Sequence, residues 1–267
     1  MPRPVTVTYQ VYPSAEEMAL ASARLFAARV EQAVAARRIA RMAISGGSTP
    51  KATFKILADP AHPFLATVPW AKLQLYWVDE RCVGPNDPDS NFGMTRDLLL
   101  SKTPIPAENV FRMEGELDPE QAASRYEGVL RNSMKLEGAE SPAFDLLTLG
   151  MGPDGHTASL FPHTPALDEM GRLVVANHVA QKETWRITLT WPVINQAGEV
   201  AFEVEGAGKA EILAEVLTGP RDPERLPSQL IRPASGKLLF LLDEAAAAEL
   251  PVPTDSGVGY RVGMLEI

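Results

Sequence analysis

Apolar and polar positions alternate over residues 5–12, a stretch rich in β-branched side chains, which predicts a strand. Ser14 and Glu17 have the spacing of a capping box. The apolar positions Met18, Leu25, Val30 and Val34 then fall near helical spacing, so a helix is expected to about Arg38. Residues 39–45 form a short apolar run ending at Gly46-Gly47, and Pro50 suits the first turn of the next helix. The unit is strand, glycine loop, helix. It repeats: an apolar strand over 73–78 enters an irregular loop over 79–91, and a helix is expected over 92–101. An amphipathic helix is expected over 122–136, a buried strand over 144–149, and further strands over 173–176, 186–191, 199–204 and 237–242. Residues 219–233, polar and rich in proline, read as a surface loop. Strands alternating with helices predict an α/β fold, a mainly parallel sheet with helices on both faces. No repeat, low-complexity tract or linker interrupts the pattern, so 1–267 is read as a single domain.

Composition supports a self-sufficient core, since 45% of the 267 residues are hydrophobic and 22% charged, close to ordinary globular usage. Charge narrows the partners. With 34 acidic against 25 basic residues the net charge is −9, so the average field repels nucleic acid and anionic membranes. An anionic ligand must then be gathered by a few placed cations and backbone N–H groups. Cys82 stands alone, which excludes an internal disulfide and a multi-thiolate metal site and fits a reducing compartment. The opening MPRPVTVTYQVY lacks the apolar core of a signal peptide, and no window approaches the roughly 18 apolar residues of a membrane span, so a cytoplasmic protein is expected.

Several chemistries lack their signatures. His62, His156, His163 and His178 show no zinc-type spacing, and no metal is expected. Ser45 lacks the preceding glycine of a G-x-S-x-G elbow, and Cys82, though beside Arg81, is the kind of lone cysteine that is usually inert. Gly208-Lys209 has Glu203 where a Walker A loop needs glycine, and Ala210 where it needs Ser or Thr. Gly150, Gly152 and Gly155 satisfy G-x-G-x-x-G, but Asp154 would set a carboxylate beside a pyrophosphate and no acid lies about twenty residues on. No cofactor is expected.

Three strands nevertheless end in glycine-rich or charged loops, and open parallel sheets bind ligands outside the carboxyl ends of their strands. Ser45-Gly46-Gly47-Ser48-Thr49 offers small residues and hydroxyls at a helix start, which suits a phosphate cradle and equally an ordinary tight turn. His156, two residues after Asp154, is placed to act as a general base, or to be a surface histidine near a helix N-cap. Asp79, Glu80 and Arg81 end another strand, where charges are more often solvated, yet Arg81 suits bidentate phosphate recognition and Asp79 would face the same cleft. Lys209 opens a helix, where the dipole disfavours it unless an anion is bound.

Taken in order, Ser45-Gly-Gly-Ser-Thr-Pro50, Trp77-Val-Asp-Glu-Arg81, Asp89-Ser-Asn91, the run 149–162 around Asp154-Gly-His156, Arg186-Ile-Thr-Leu-Thr190, Ile194-Asn195, Val204-Glu-Gly-Ala-Gly-Lys-Ala210, Arg232-Pro-Ala-Ser-Gly236 and Leu242-Asp243 resemble the 6-phosphogluconolactonase family over nearly the whole chain. The resemblance implies a modified Rossmann-like fold, similar to glucosamine-6-phosphate deaminase and ribose-5-phosphate isomerase, without a nucleotide. It implies hydrolysis of 6-phospho-D-glucono-1,5-lactone to 6-phosphogluconate in the oxidative pentose phosphate pathway. It also implies that His156 activates water and that Arg81 and Lys209 hold phosphate. The deaminase pattern carries an Asn-Glu pair after its histidine; Leu160-Phe161 stands there instead, which argues against sugar ring opening. On this reading the loop Ser45 to Thr49, Arg81 and Lys209 fix the phosphate, His156 works with Asp154 behind it, and Asp79 orders a loop residue or touches sugar hydroxyls. The rivals are a sugar-phosphate isomerase or deaminase, and a sugar-phosphate sensor. The expected partner is a small phosphorylated sugar lactone, with no nucleic acid and no membrane; the sequence does not set the oligomeric state, and a monomer is the working expectation.

Overall fold

The computed structural model describes residues 5–267; residues 1–4 of the segment read for a leader lie outside the described residues. The chain runs β1 (Thr6–Tyr12), α1 (Ala15–Arg37), β2 (Ala40–Ile44), α2 (Pro50–Leu57), α3 (Phe64–Thr67), β3 (Leu73–Trp77), β4 (Asp79–Arg81) and α4 (Asn91–Leu98). It continues through β5 (Val110–Phe111), α5 (Pro119–Met134), β6 (Leu146–Leu149), β7 (Val174–Val179), β8 (Thr184–Leu189) and α6 (Trp191–Ile194). The last elements are β9 (Val200–Val204), α7 (Ala210–Thr218), β10 (Leu238–Asp243), β11 (Thr254–Asp255) and β12 (Arg261–Glu266). Ser14 caps α1, its side chain accepting from Glu17 N at 3.2 Å, as the capping-box spacing predicts.

Among the described residues nine strands form one sheet in the order β11-β12-β1-β10-β9-β6-β2-β3-β5. From β1 to β5 every pairing is parallel, while β12 runs antiparallel to β1 and to β11. The period of two in each strand sorts side chains to the two faces. Met42, Ile44, Leu73, Leu75, Trp77 and Ala201 meet Phe26 and Val30 of α1 and Phe54 and Leu57 of α2. Their alternates Ala43, Tyr76, Leu147, Phe202 and Phe240 meet Tyr126 and Leu130 of α5 and Leu213 of α7. Helices therefore cover both faces, and strands buried on both faces read as continuous apolar runs.

Five expectations need correction. Residues 79–91 are not wholly irregular: Val78 N bonds Ile44 O at the end of the large sheet, Val78 O accepts from Leu189 N, and the chain crosses into β4. There it meets β8 and β7, so the strands expected over 173–176 and 186–191 form a separate antiparallel sheet in the order β4-β8-β7 rather than joining the parallel one. β8 also stops at Leu189, because Pro192 has no N–H to continue a ladder and the short α6 begins. The helix expected from 122 begins at Pro119, capped by Asp118, whose side chain accepts from Glu120 N and Gln121 N. Finally, the stretch 219–233 is a surface loop only in its first half; Leu226 and Ile231 are fully buried, and the turn Pro227–Leu230 packs beneath the site described next. No described helix is long and apolar enough to cross a membrane.

Candidate active site

The loops that follow β2, β3, β6 and β9, four neighbours in the parallel part of the sheet, open at one end and enclose a cleft of about 240 Å³. Ser45, Gly46, Gly47, Ser48, Thr49, Asp79, Arg81, His156 and Lys209 all line it. Asp154 sits behind His156, its Oδ1 2.5 Å from Nδ1 of the ring. A groove of about 520 Å³ continues from Gly47, Ser48 and Arg81 along Lys51, Lys55 and Arg96.

His156 is shaped by its own loop. Thr157 Oγ1 donates to Gly150 O at 2.8 Å, Gly152 N donates to His156 O at 2.8 Å, and Gly155 O accepts both N and Oγ of the buried Ser228. A side chain at position 152 would place its Cβ 2.0 Å from His156 Nδ1, so glycine there is what lets the ring lie against the backbone. Partial burial by itself would raise the Asp154 carboxyl, but the hydrogen bond and charge attraction of His156 outweigh it and hold the group at about 2. Asp154 is therefore ionised near neutrality and can only accept, so Nδ1 of a neutral His156 carries the proton and Nε2 keeps its lone pair.

The other end of the cleft is built from the small sheet. Arg81 and Arg186 lie opposite each other in the β4–β8 pair. Arg81 Nη1 donates to Asp89 O at 2.6 Å, while the Nε atoms of both arginines are enclosed without an acceptor. Burial, then the neighbouring Arg81 charge, pulls the Arg186 guanidinium below its ordinary value. Like charges facing each other across a ladder are unfavourable, and enclosed unpaired donors cost more, so the pair calls for an anion. The backbone N–H groups of Gly46, Gly47 and Ser48 also find no acceptor among the described residues. Lys209 follows a single turn after β9; burial lowers its ammonium and the Asp154 charge opposes that shift.

Asp79 and Glu80 are not solvated charges, contrary to the expectation for a strand end, being only 6% and 2% exposed. Asp79 Oδ2 accepts from Ser159 Oγ at 2.7 Å, and Asn91 Nδ2 donates to its backbone oxygen at 2.9 Å. Glu80 accepts from Arg81 N, Asn91 N, Phe92 N and Ser90 Oγ, so it holds the start of α4. Burial still pushes its carboxyl up, against those donors. A Cβ at position 46 would fall 1.8 Å from Asn91 Oδ1, and the glycine lets the β2 loop close over that amide. Cys82 is partly covered, and burial pushes its thiol up to about 11 despite the nearby Arg186 charge. Sequence reasoning gave no separate role to Arg186, Asn91, Glu80, Ser159 or Phe161. The signal for Arg186 was present: a charged residue within a short strand of β-branched and aromatic residues.

The order of these loops is that of a described sequence family. Residues 13–240 match glucosamine-6-phosphate isomerases/6-phosphogluconolactonase, most of the chain. The chain belongs to this glucosamine-6-phosphate isomerase/6-phosphogluconolactonase family. Within it, the chain is 43% identical over 224 residues to a 6-phosphogluconolactonase of Synechocystis, spanning 83% of this chain and 89% of that protein. It is 39% identical over 256 residues to the 6-phosphogluconolactonase of Homo sapiens, spanning 95% and 97%. A solved 6-phosphogluconolactonase from Trypanosoma brucei superposes with a TM-score of 0.79 at 28% identity, over 92% of this chain and 100% of that one. A monomeric glucosamine-6-phosphate deaminase shares the fold, with a TM-score of 0.74 at 20% identity. The modified Rossmann-like architecture expected from the sequence is thus the family's own.

Proposed function

We propose that this chain hydrolyses 6-phospho-D-glucono-1,5-lactone to 6-phospho-D-gluconate, the second step of the oxidative pentose phosphate pathway, as a single-domain, monomeric cytoplasmic enzyme. The observation that carries the reading is one cleft lined both by His156, with Asp154 behind it, and by Arg81, which lies opposite Arg186 in the small sheet with both Nε donors lacking an acceptor. Arg81, Arg186 and the N–H groups of Gly46, Gly47 and Ser48 bind the phosphate, with Lys209 completing the positive lining. Holding that remote group orients the lactone, and its binding energy is used at C1. His156 Nε2 takes one proton from water as the water oxygen attacks C1; the C1–ring oxygen bond then breaks, His156 returns that proton to the ring oxygen, and C1 is left as a carboxylic acid whose remaining proton is lost to solvent to give the carboxylate. Asp154 holds the ring in the required tautomer and balances the imidazolium as it forms. Asp79 is a strut, since both carboxylate oxygens already have donors.

A lactone is an activated ester, so the reaction needs a base for water and no ring-opening carboxylate. At the position of the deaminase glutamate stands Phe161, an aromatic ring against His156. The test is a coupled assay in which glucose-6-phosphate dehydrogenase generates the lactone and the appearance of 6-phosphogluconate is followed against spontaneous hydrolysis. Acceleration by the wild type is expected, and His156→Ala is expected to lower kcat by about 10²- to 10⁴-fold with KM little changed. Wild-type rates equal to the spontaneous rate, or release of ammonia from glucosamine 6-phosphate, would overturn the reading.

A further inference from the structure

The His156 ring has three of its sides occupied. Asp154 stands at Nδ1, the Gly152 backbone lies close to Nδ1 and Cε1, and Phe161 covers one face with ring centroids 3.9 Å apart and planes 22° from parallel. Among the described residues no group hydrogen-bonds Nε2, and the side chain keeps about a fifth of its exposure. Phe161 is itself 4% exposed and held from behind: Phe161 O accepts Thr164 Oγ1 at 2.8 Å, Pro162 O accepts Gln181 Nε2 at 3.4 Å, and Lys182 Nζ lies over the Phe161 ring, 5.9 Å from its centroid. Gln181 and Lys182 belong to the turn joining β7 to β8, the strand that also carries Arg186. The turn that closes over Phe161 is thus tied to the strand at the phosphate end.

We infer that Phe161 is the positioning residue for the base, fixing the plane of the His156 ring so that Nε2 faces the substrate. Asp154 pins one edge of the ring, and a flat partner at van der Waals distance on one face resists the tilting about the Cβ–Cγ bond that would swing Nε2 away. The electron-rich face also favours the imidazolium that exists only after the water proton has been taken, so its contribution falls on the chemical step rather than on substrate binding. This rests on the lactonase reading for its kinetic consequence, but the stack itself does not.

Two variants separate the possibilities. Phe161→Leu keeps apolar volume and removes the ring; Phe161→Tyr keeps the ring. Expected are a kcat lower by about 10- to 100-fold for Phe161→Leu with KM within about twofold, and a rate within about threefold of wild type for Phe161→Tyr. In proton NMR, the His156 ring signals, assigned by their loss in His156→Ala, should lie upfield in wild type and in Phe161→Tyr, and move downfield in Phe161→Leu. A folded Phe161→Leu protein with unchanged kcat overturns the inference, as does an unmoved His156 signal. Absence of lactone turnover in wild type would instead overturn the reaction, leaving the ring signals to decide the stack.

Discussion

A carboxylate behind a histidine helps only while it stays ionised, and at Asp154 the histidine itself secures this. The hydrogen bond and charge of His156 hold the carboxyl at about 2, against a burial cost that acts the other way. The arginine pair at the other end of the cleft has no such hydrogen-bonded carboxylate among the described residues, although the Asp79 and Asp89 charges act on Arg186. Arg81 and Arg186 face each other with enclosed Nε donors, a cost carried by the free protein that a dianionic ligand would relieve. Removing either arginine should therefore act in opposite directions on binding and on stability. Arg81→Ala and Arg186→Ala are each expected to raise KM about 10- to 100-fold with a smaller effect on kcat, while leaving the thermal midpoint of the free enzyme unchanged or higher. Steady-state kinetics beside thermal denaturation would decide; a lower midpoint with unchanged KM would make the pair structural.

At the scale of elements, one buried group ties the helices under the site to the sheet. Glu203 on β9 accepts from Ser22 Oγ on α1 at 2.6 Å and from Thr53 Oγ1 on α2 at 3.4 Å. Burial pushes its carboxyl from the ordinary 4.5 up to about 6, against those two hydroxyl donors. A native pKa above the unfolded one means the folded state binds the proton more tightly. The contribution is full below about pH 4.5, and is lost as pH rises through about 6. Relative to Glu203→Gln, wild type should lose about 2 kcal/mol between pH 4 and pH 7, measured by urea denaturation at both values; a constant difference would show the carboxyl is not protonated on folding. The elements themselves were largely legible, because β2, β3, β6 and β9 are apolar runs ending in glycine or charge, and Ser14 and Pro50 mark helix starts. What was not legible depended on partners distant in sequence. Nothing local in Asp79-Glu-Arg81 shows that β8, about a hundred residues on, will pair with it, so charges that read as solvated are buried by a strand the sequence does not place. Arg186 came to lie beside Arg81 by the same pairing. Leu226 and Ile231 sit in a proline-rich stretch whose composition is that of a surface loop, and only the packing beneath Gly155 buries them.

Across the whole molecule, the two sheets share one core: Val174, Ile187 and Leu189 of the small sheet belong to the same buried cluster as Leu147, Phe202 and Phe240 of the large one. A cluster of this kind should melt as a unit. Calorimetry is expected to show one transition with calorimetric and van't Hoff enthalpies in agreement, and two resolved transitions would divide the chain. The extent of the family match, from residue 13 to 240, ends within β10, so the antiparallel edge β12 that covers β1 lies beyond it.

The tie between Asp79 and Ser159 joins residues 80 apart, and that between Gly155 and Ser228 joins residues 73 apart. Each closes a long segment of chain, whose entropy is spent before the contact returns anything. Time is the consequence: after dilution from denaturant, helices and the β2–β3 pair can form early, whereas the cleft is complete only once both ties are made. Recovery of lactone turnover should lag recovery of the far-ultraviolet helical signal in stopped-flow refolding, and the His156–Phe161 stack should return with turnover, on the slower of the two clocks.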